Sequence, residues 1–411
     1  MGVRDIFRGI KKRPFELAFV SSFSDLITQG FVALFICALA DIIAGISLGV
    51  IEDYLKILPG LLVLIPGAIA MRGNIYASLG ARMGSYLHTG ELSPDLRERD
   101  IFNQFLLASF TQTLVLSTLL AFLAKGVMIL FGMPSISLWC LIFISVCGGV
   151  LAGIFLFVAT ILISTTSFKK GWDPDNVTTP LITAIGDITT VPSIFLVTLI
   201  AMNISHLLDT FSFMFFAICG LSLLASVKFS LSRNIVLQTL PIFLGCALLS
   251  TFSGVVLEKN IEHLIAFSVM FLVVPVFNEE GGNFGSILAA RLSSSVRMGL
   301  LKPKSIPEKE TIGMFSALLL LSLIVFPLIG ILAHVIGVII GFESPGLLRL
   351  TLVCLGAGII ITVMSNIIAY YTTYLSVIKG LDPDNVVIPI ITACMDILGT
   401  LSLVGMLILV I

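Results

Sequence analysis

The chain has 411 residues, 57% of them apolar and only 11% charged, with a formal net charge of -1 and a mean hydropathy of +1.12. Soluble domains carry charge on about a quarter of their residues, so this composition excludes a soluble globular protein and requires one that lies in a membrane. The near-neutral balance adds nothing, because in a membrane chain the information is in where Lys and Arg fall.

Residues 2–20 are basic and apolar without a small-residue cleavage site, which predicts a short interfacial lead-in helix rather than a signal peptide. Beyond them, apolar runs reach the roughly 20 residues needed to cross a bilayer core. Eleven spans are expected, at 24–50, 57–88, 103–132, 136–166, 178–203, 210–227, 235–257, 264–297, 311–340, 348–376 and 387–411. The predicted fold class is an all-α polytopic membrane protein of eleven transmembrane helices, with no soluble domain left between them. If the N-terminus is cytoplasmic, sixteen Lys and Arg fall inside or at the inner edge and only Lys56, Lys125, Lys259 and Arg349 lie toward the outside. That bias predicts a multi-pass plasma-membrane protein whose C-terminus is outside. The seven cysteines are scattered through the spans without a C-x-x-C pair, so packing is expected of them rather than disulfides or zinc.

The second span carries Pro66, then Arg72-Gly73-Asn74, and ends at Arg82. A proline–glycine interruption at membrane depth is tolerated where backbone lines a cavity or is buried in protein. Ahead of the fifth span stands Gly171-Trp172-Asp173-Pro174-Asp175-Asn176-Val177, and within it Asn176, Pro180, Thr183 and Asp187 are spaced i, i+4, i+7 and i+11, one face of a helix. Pro180 cannot donate to the carbonyl of Asn176, which is left free to face a lumen. At about 1.5 Å per residue, Asp187 lies roughly 16 Å beyond Asn176, near mid-membrane. Acidic residues there are expensive and mark ion pathways. The plainer reading, a buried Asp paired with Arg or capping a broken helix, weakens when the feature occurs twice.

It does occur twice, 209 residues apart. Residues 171–188 and 380–397 are identical at twelve of eighteen positions, giving Asn385, Pro389, Thr392 and Asp396. At the same offset Pro66 matches Pro275, Gly73-Asn74 matches Gly282-Asn283, and Arg82 matches Arg291. The expected organisation is a first repeat over 1–208, a linker transmembrane helix over 209–228 and a second repeat over 229–411. The linker adds one crossing, so the two five-helix repeats face the same way about a pseudo-two-fold pore. A fused pair of this kind has no need to dimerise further, and a monomer is expected. The copies differ in one block: Ala70-Met71-Arg72 aligns with Glu279-Glu280-Gly281. Glu279 and Glu280 are candidates for a second cation site or a proton-titratable step. Arg72 reads either as a counter-charge spacing ions or as the partner of a glutamate across the axis. Arg82 and Arg291 share the inner side with Asp175 and Asp384, where ion pairs would form either a latch or static bridges.

Two aspartates facing each other, with Asn74, Asn283, Thr183 and Thr392 nearby, would make a two-fold site for a cation. The Gly-Asn and Ala-Arg elements of the second span and the Asp-Pro-Asp-Asn…Pro…Thr…Asp element resemble the solute carrier 41 family and the membrane domain of MgtE-type magnesium channels. The match covers essentially the whole chain as two fused copies. The resemblance implies a magnesium transporter whose pathway is lined by the second and fifth helices of each repeat, with Asp187 and Asp396 recognising the transported Mg²⁺. The bacterial pattern's cytoplasmic sensor module does not precede the first span here, so gating by such a module is not expected. The expected partners are a divalent cation and the lipid bilayer, not nucleic acid. Other readings are a carrier of Mn²⁺ or Co²⁺, a Na⁺- or H⁺-coupled Mg²⁺ exchanger and, more remotely, an intramembrane aspartyl protease. The protease's usual Gly-x-Gly-Asp is absent at both Asp187 and Asp396.

Overall fold

A computed structural model describes residues 15–170, 174–204, 207–297, 301, 304–379 and 383–411, and all regular structure among them is helical. The first repeat contains α1 (Phe15–Val50), α2 (Glu52–Ile57), α3 (Leu61–Thr89), α4 (Arg99–Leu130), α5 (Leu138–Lys169) and α6 (Pro174–Asn203). A connecting helix, α7 (Leu208–Lys228), leads to α8 (Ser230–Lys259), α9 (Ile261–Ala266), α10 (Met270–Arg297), α11 (Lys309–Ile340), α12 (Leu347–Ile378) and α13 (Pro383–Val410). Helix is the natural form for these runs because lipid offers backbone groups no partner outside their own segment. Glycines in left-handed geometry bound several of them: Gly60 (φ 94°) before α3, Gly90 (φ 76°) after it and Gly341 (φ 96°) after α11. Ser137 caps α5 by accepting from the Cys140 amide at 3.1 Å.

Nine helices among the described residues are long and apolar enough to cross a membrane. Of the eleven expected spans, the first and eighth are not among these nine. The helix α1 (Phe15–Val50) runs through the whole of the expected first span and takes in residues 15–20 of the expected lead-in. The helix α10 has the length, but Asn278, Glu279, Glu280, Arg291 and Arg297 dilute its hydropathy. It is nonetheless buried from Met270 to Val274 and again at Val276 and Phe277, as α3 is from Leu61 to Ile65. Helices apolar and buried all round belong at a molecule's centre. Peripheral helices show the opposite pattern: α7 turns Phe213, Met214, Leu221 and Leu224 outward, an apolar exterior that only lipid can cover.

Helix bounds recur at the offset seen in sequence: α2 starts at 52 and α9 at 261, α5 at 138 and α12 at 347, α6 at 174 and α13 at 383. The short helices α2 and α9 are elements that the apolar runs alone did not reveal. Pro66 and Pro275 sit inside unbroken α3 and α10, so the expected interruption is the loss of one backbone bond rather than a break. Packing between the halves is exchanged. A Cβ on Gly45 of α1 would stand 2.5 Å from Leu272 Cα of α10, and one on Gly254 of α8 would stand 2.6 Å from Val63 Cα of α3. The first long helix of each half therefore lies against the second long helix of the other half, and glycine is what lets the backbones meet. Outside the bundle, Lys169 at the end of α5 ties down the loop after α3 through Asp95 at 3.0 Å. That ammonium holds the Asp95 carboxyl below its ordinary pKa.

Candidate functional site

The buried segments of α3 and α10 flank a cavity of ≈ 580 Å³, far larger than the ~30 Å³ share of one water. Both halves contribute equivalent residues to it: Thr183 and Asp187 from α6 with Thr392 and Asp396 from α13, and Asn74 from α3 with Asn283 from α10. Pro66 and Pro275 line it as well. Close helix packing sets these positions. A Cβ on Gly73 would meet Thr183 Cγ2 at 3.5 Å, and one on Gly282 would meet Thr392 Cγ2 at 3.0 Å. Each asparagine thus stands one residue beyond the point where its helix touches the threonine helix.

Asp187 is only 3% exposed, and its carboxyl lies beside that of Asp41 of α1. Ser250 of α8 donates to Asp396 Oδ2. Residues 41 and 250 are 209 apart, so each half uses its first long helix to support its own aspartate, with a carboxyl in one case and a hydroxyl in the other. Asp41 escaped the sequence reading for that reason: a repeat-based search rewards identity, and Asp opposite Ser has none. The available signal was the only charged residue between Asp25 and Glu52. Cys37 and Cys246, also 209 apart and expected only to pack, line the cavity too.

The divergent block separates three side chains. Glu279 lines the cavity within electrostatic range of Asp187 and Asp396. Beside it on the same wall, Asn278 accepts from Thr400 Oγ1 at 2.9 Å. Glu280 lies behind the wall, fully buried. Arg72 matches neither reading made for it. It is buried and directed into its own half, donating to Ala68 O at 2.9 Å, Ser117 Oγ at 3.1 Å and Ser145 O at 3.2 Å. A Cβ on Gly149 would fall 2.1 Å from its Nη2. In the second half the equivalents of Arg72 and Ser117 are Gly281 and Phe326. There Phe326 fills the space, stacked on Phe284 at 5.6 Å and pressed against Gly358. Arg72 is a packing solution, so its charge is directed away from the cavity carboxyls.

Of the inner-side residues, Arg82 turns Nε toward Ser78 Oγ at 3.4 Å, and Arg291 sits partly buried near the end of α10. The side chains of Asp175 and Asp384, like those of Asn176, Pro180, Asn385 and Pro389, lie outside the described residues, as do Asp173 and Asp382. Among the described residues, no three His, Cys, Asp or Glu side chains converge as a ready-made metal cage. A wide, carboxylate-bearing cavity with hydroxyl and amide walls suits an ion that keeps its water.

An all-helical membrane protein with an acid-lined cavity built from equivalent helices of two halves belongs to the class of cation transporters. The chain is a member of the MgtE family, whose model, described as a divalent cation transporter, matches residues 65–197 and again 274–406. It is similar to solute carrier family 41 member 3 of Mus musculus, 27% identical over 396 residues covering 87% of this chain and 79% of that protein. It is also similar to solute carrier family 41 member 2 of Gallus gallus, 23% identical with 96% and 71% covered, and of Homo sapiens, 22% identical with 90% and 68% covered. No solved structure matches. The protein is therefore a transporter and not an enzyme, and the aspartyl protease reading falls.

Proposed function

We propose that this protein carries Mg²⁺ across the plasma membrane through the cavity between α3, α6, α10 and α13, with Asp187 and Asp396 as the groups that recognise the ion. The observation that carries the proposal is the pairing of repeat-related aspartates on one cavity, flanked by Thr183, Thr392, Asn74 and Asn283. Two carboxylates with neutral oxygen donors around them match the demand of an ion that dehydrates reluctantly. The arrangement we favour has eleven crossings and two parallel repeats, with the N-terminus inside. A divalent ion entering a negative interior gains about 2.3 kcal/mol per charge per 100 mV, so import needs one axial site, whereas export needs a coupled ion. A second reading, Mn²⁺ or Co²⁺ as the cargo, draws on Cys37 and Cys246, because first-row ions accept sulfur more readily than Mg²⁺ does.

The test is Mg²⁺ flux into proteoliposomes. Asp187→Ala combined with Asp396→Ala should abolish it, and flux surviving at the wild-type rate would sink the site assignment. Mn²⁺ and Co²⁺ assayed on the same vesicles decide the cargo: Mg²⁺ should be carried when each is supplied alone, and a preparation that carries only Mn²⁺ or Co²⁺ would replace the first reading with the second.

A further inference from the structure

The two halves offer two equivalent places beside the cavity, and only one of them is acidic. Because α1 lies on α10 while α8 lies on α3, Asp41 is brought to the side of Glu279 and Glu280. Their equivalents Ser250, Ala70 and Met71 share the opposite side. On the acidic side Glu280 is fully buried and Asp41 is 1% exposed. Both Glu280 carboxyl oxygens and Asp41 Oδ2 lack a hydrogen-bond partner, as does the buried Nδ2 of Asn283, which lies near Glu280 one turn along α10 but outside hydrogen-bond geometry. Glu280 is within electrostatic range of both Asp41 and Cys37, and the other charged groups acting on Asp41 are Asp187 and Glu279. Arg72, the basic residue of the other half's copy of this block, is engaged by α3, α4 and α5.

A buried carboxylate without a counter-charge is costly. One Mg²⁺ carries two charges, against five carboxyls at or behind this wall. We propose that Asp41 and Glu280 form a second cation site, off the pseudo-axis where α1 meets α10, reached from the cavity past Asp187 and Glu279 and present on one side only. Its ligand is a hard cation taking carboxylate and water oxygens, from one of two sources: a second Mg²⁺ or an alkali cation such as Na⁺. The axial pair and the off-axis pair then hold two ions at once, with Asp187 touching both sites. This makes the transporter a two-ion device and gives the broken symmetry of the duplication a role. The proposal rests on the cavity being the ion pathway, but does not require the axial pair to be the principal ligand.

Equilibrium binding to the full chain in nanodiscs tests it, with Mg²⁺ and radioactive Na⁺ measured in separate arms. The variant Asp41→Ser/Glu280→Met installs at each position the residue already present at its repeat equivalent, and Glu280→Gln keeps the side-chain shape should the first fold poorly. Either is expected to bind one cation fewer per chain than wild type. A loss in the Mg²⁺ arm identifies a second divalent ion, and a loss in the Na⁺ arm identifies an alkali ion. Asp396→Ala, which leaves the Asp41–Asp187 contact intact, should lose the axial ion and keep the off-axis one. Unchanged cation counts in both arms for folded Glu280→Gln would overturn the second site. A full count for Asp396→Ala, with one ion lost from the symmetrised variant, would instead overturn the axial assignment and leave the second site standing.

Discussion

Arg72 shows how a charged residue within a membrane helix need not belong to the pathway. Its guanidinium is held by a serine hydroxyl and two carbonyls on three helices, and the second repeat fills the same volume with Phe326. Arg72→Met should therefore leave buried acceptors unpaired and lower stability by about 1–3 kcal/mol, read as a drop in thermal midpoint in detergent. The Mg²⁺ concentration for half-maximal flux should not move, and a shift in it would return Arg72 to the pathway. Transplanting the other half's solution, Arg72→Gly with Ser117→Phe, should recover part of the lost midpoint. Asp187, Asp396, Thr183 and Thr392 were legible in the sequence because polar residues aligned on one face of a membrane helix are costly, and a costly pattern kept twice at a fixed offset points to a shared polar pathway. Asp41 and the direction of Arg72 were not, since a residue's neighbours across a helix contact leave no mark on local spacing.

Among the elements, the contacts α1 with α10 and α8 with α3 hold the two halves together, and each passes through a glycine. The Cβ of Gly45→Ala or Gly254→Ala would meet main-chain atoms at 2.5 or 2.6 Å, which cannot rotate away as a side chain would. Each substitution should push the helix pair apart and cost about 1–3 kcal/mol, again seen in the thermal midpoint. At Gly245, where a Cβ meets nothing within 4 Å, alanine should be neutral. A Gly254→Ala protein melting with wild type would refute the close contact. Most helices were readable as apolar runs, but α10 stands below the composition of a lipid-facing span. Its polar residues are covered by neighbouring helices, so its hydropathy reports what the site needs rather than what lipid tolerates.

For the whole molecule, the question is which way the halves face. Pro134, between α4 and α5, and Glu343, between α11 and α12, are repeat equivalents and both exposed. Parallel repeats with the N-terminus inside predict that Pro134→Cys and Glu343→Cys, in a cysteine-free background, both react with an impermeant maleimide from outside the cell. Labelling from opposite faces would mean inverted halves. The distribution of Lys and Arg supports the parallel arrangement, because inversion would carry the basic residues of the second half to the wrong side.

Composition, run length and the repeat by themselves determined that this is a helical membrane protein made of two like halves, each with an aspartate at the equivalent place in its last helix. Those properties follow from lipid's exclusion of unpaired backbone and charge, which acts on every segment locally and so is written in each one. Only the tertiary structure decided that the first long helix of each half crosses to the other, that Asp41 joins Asp187 and the glutamates, and that Arg72 turns away. These depend on which apolar face meets which, and apolar faces look alike until glycines and shapes select their partners.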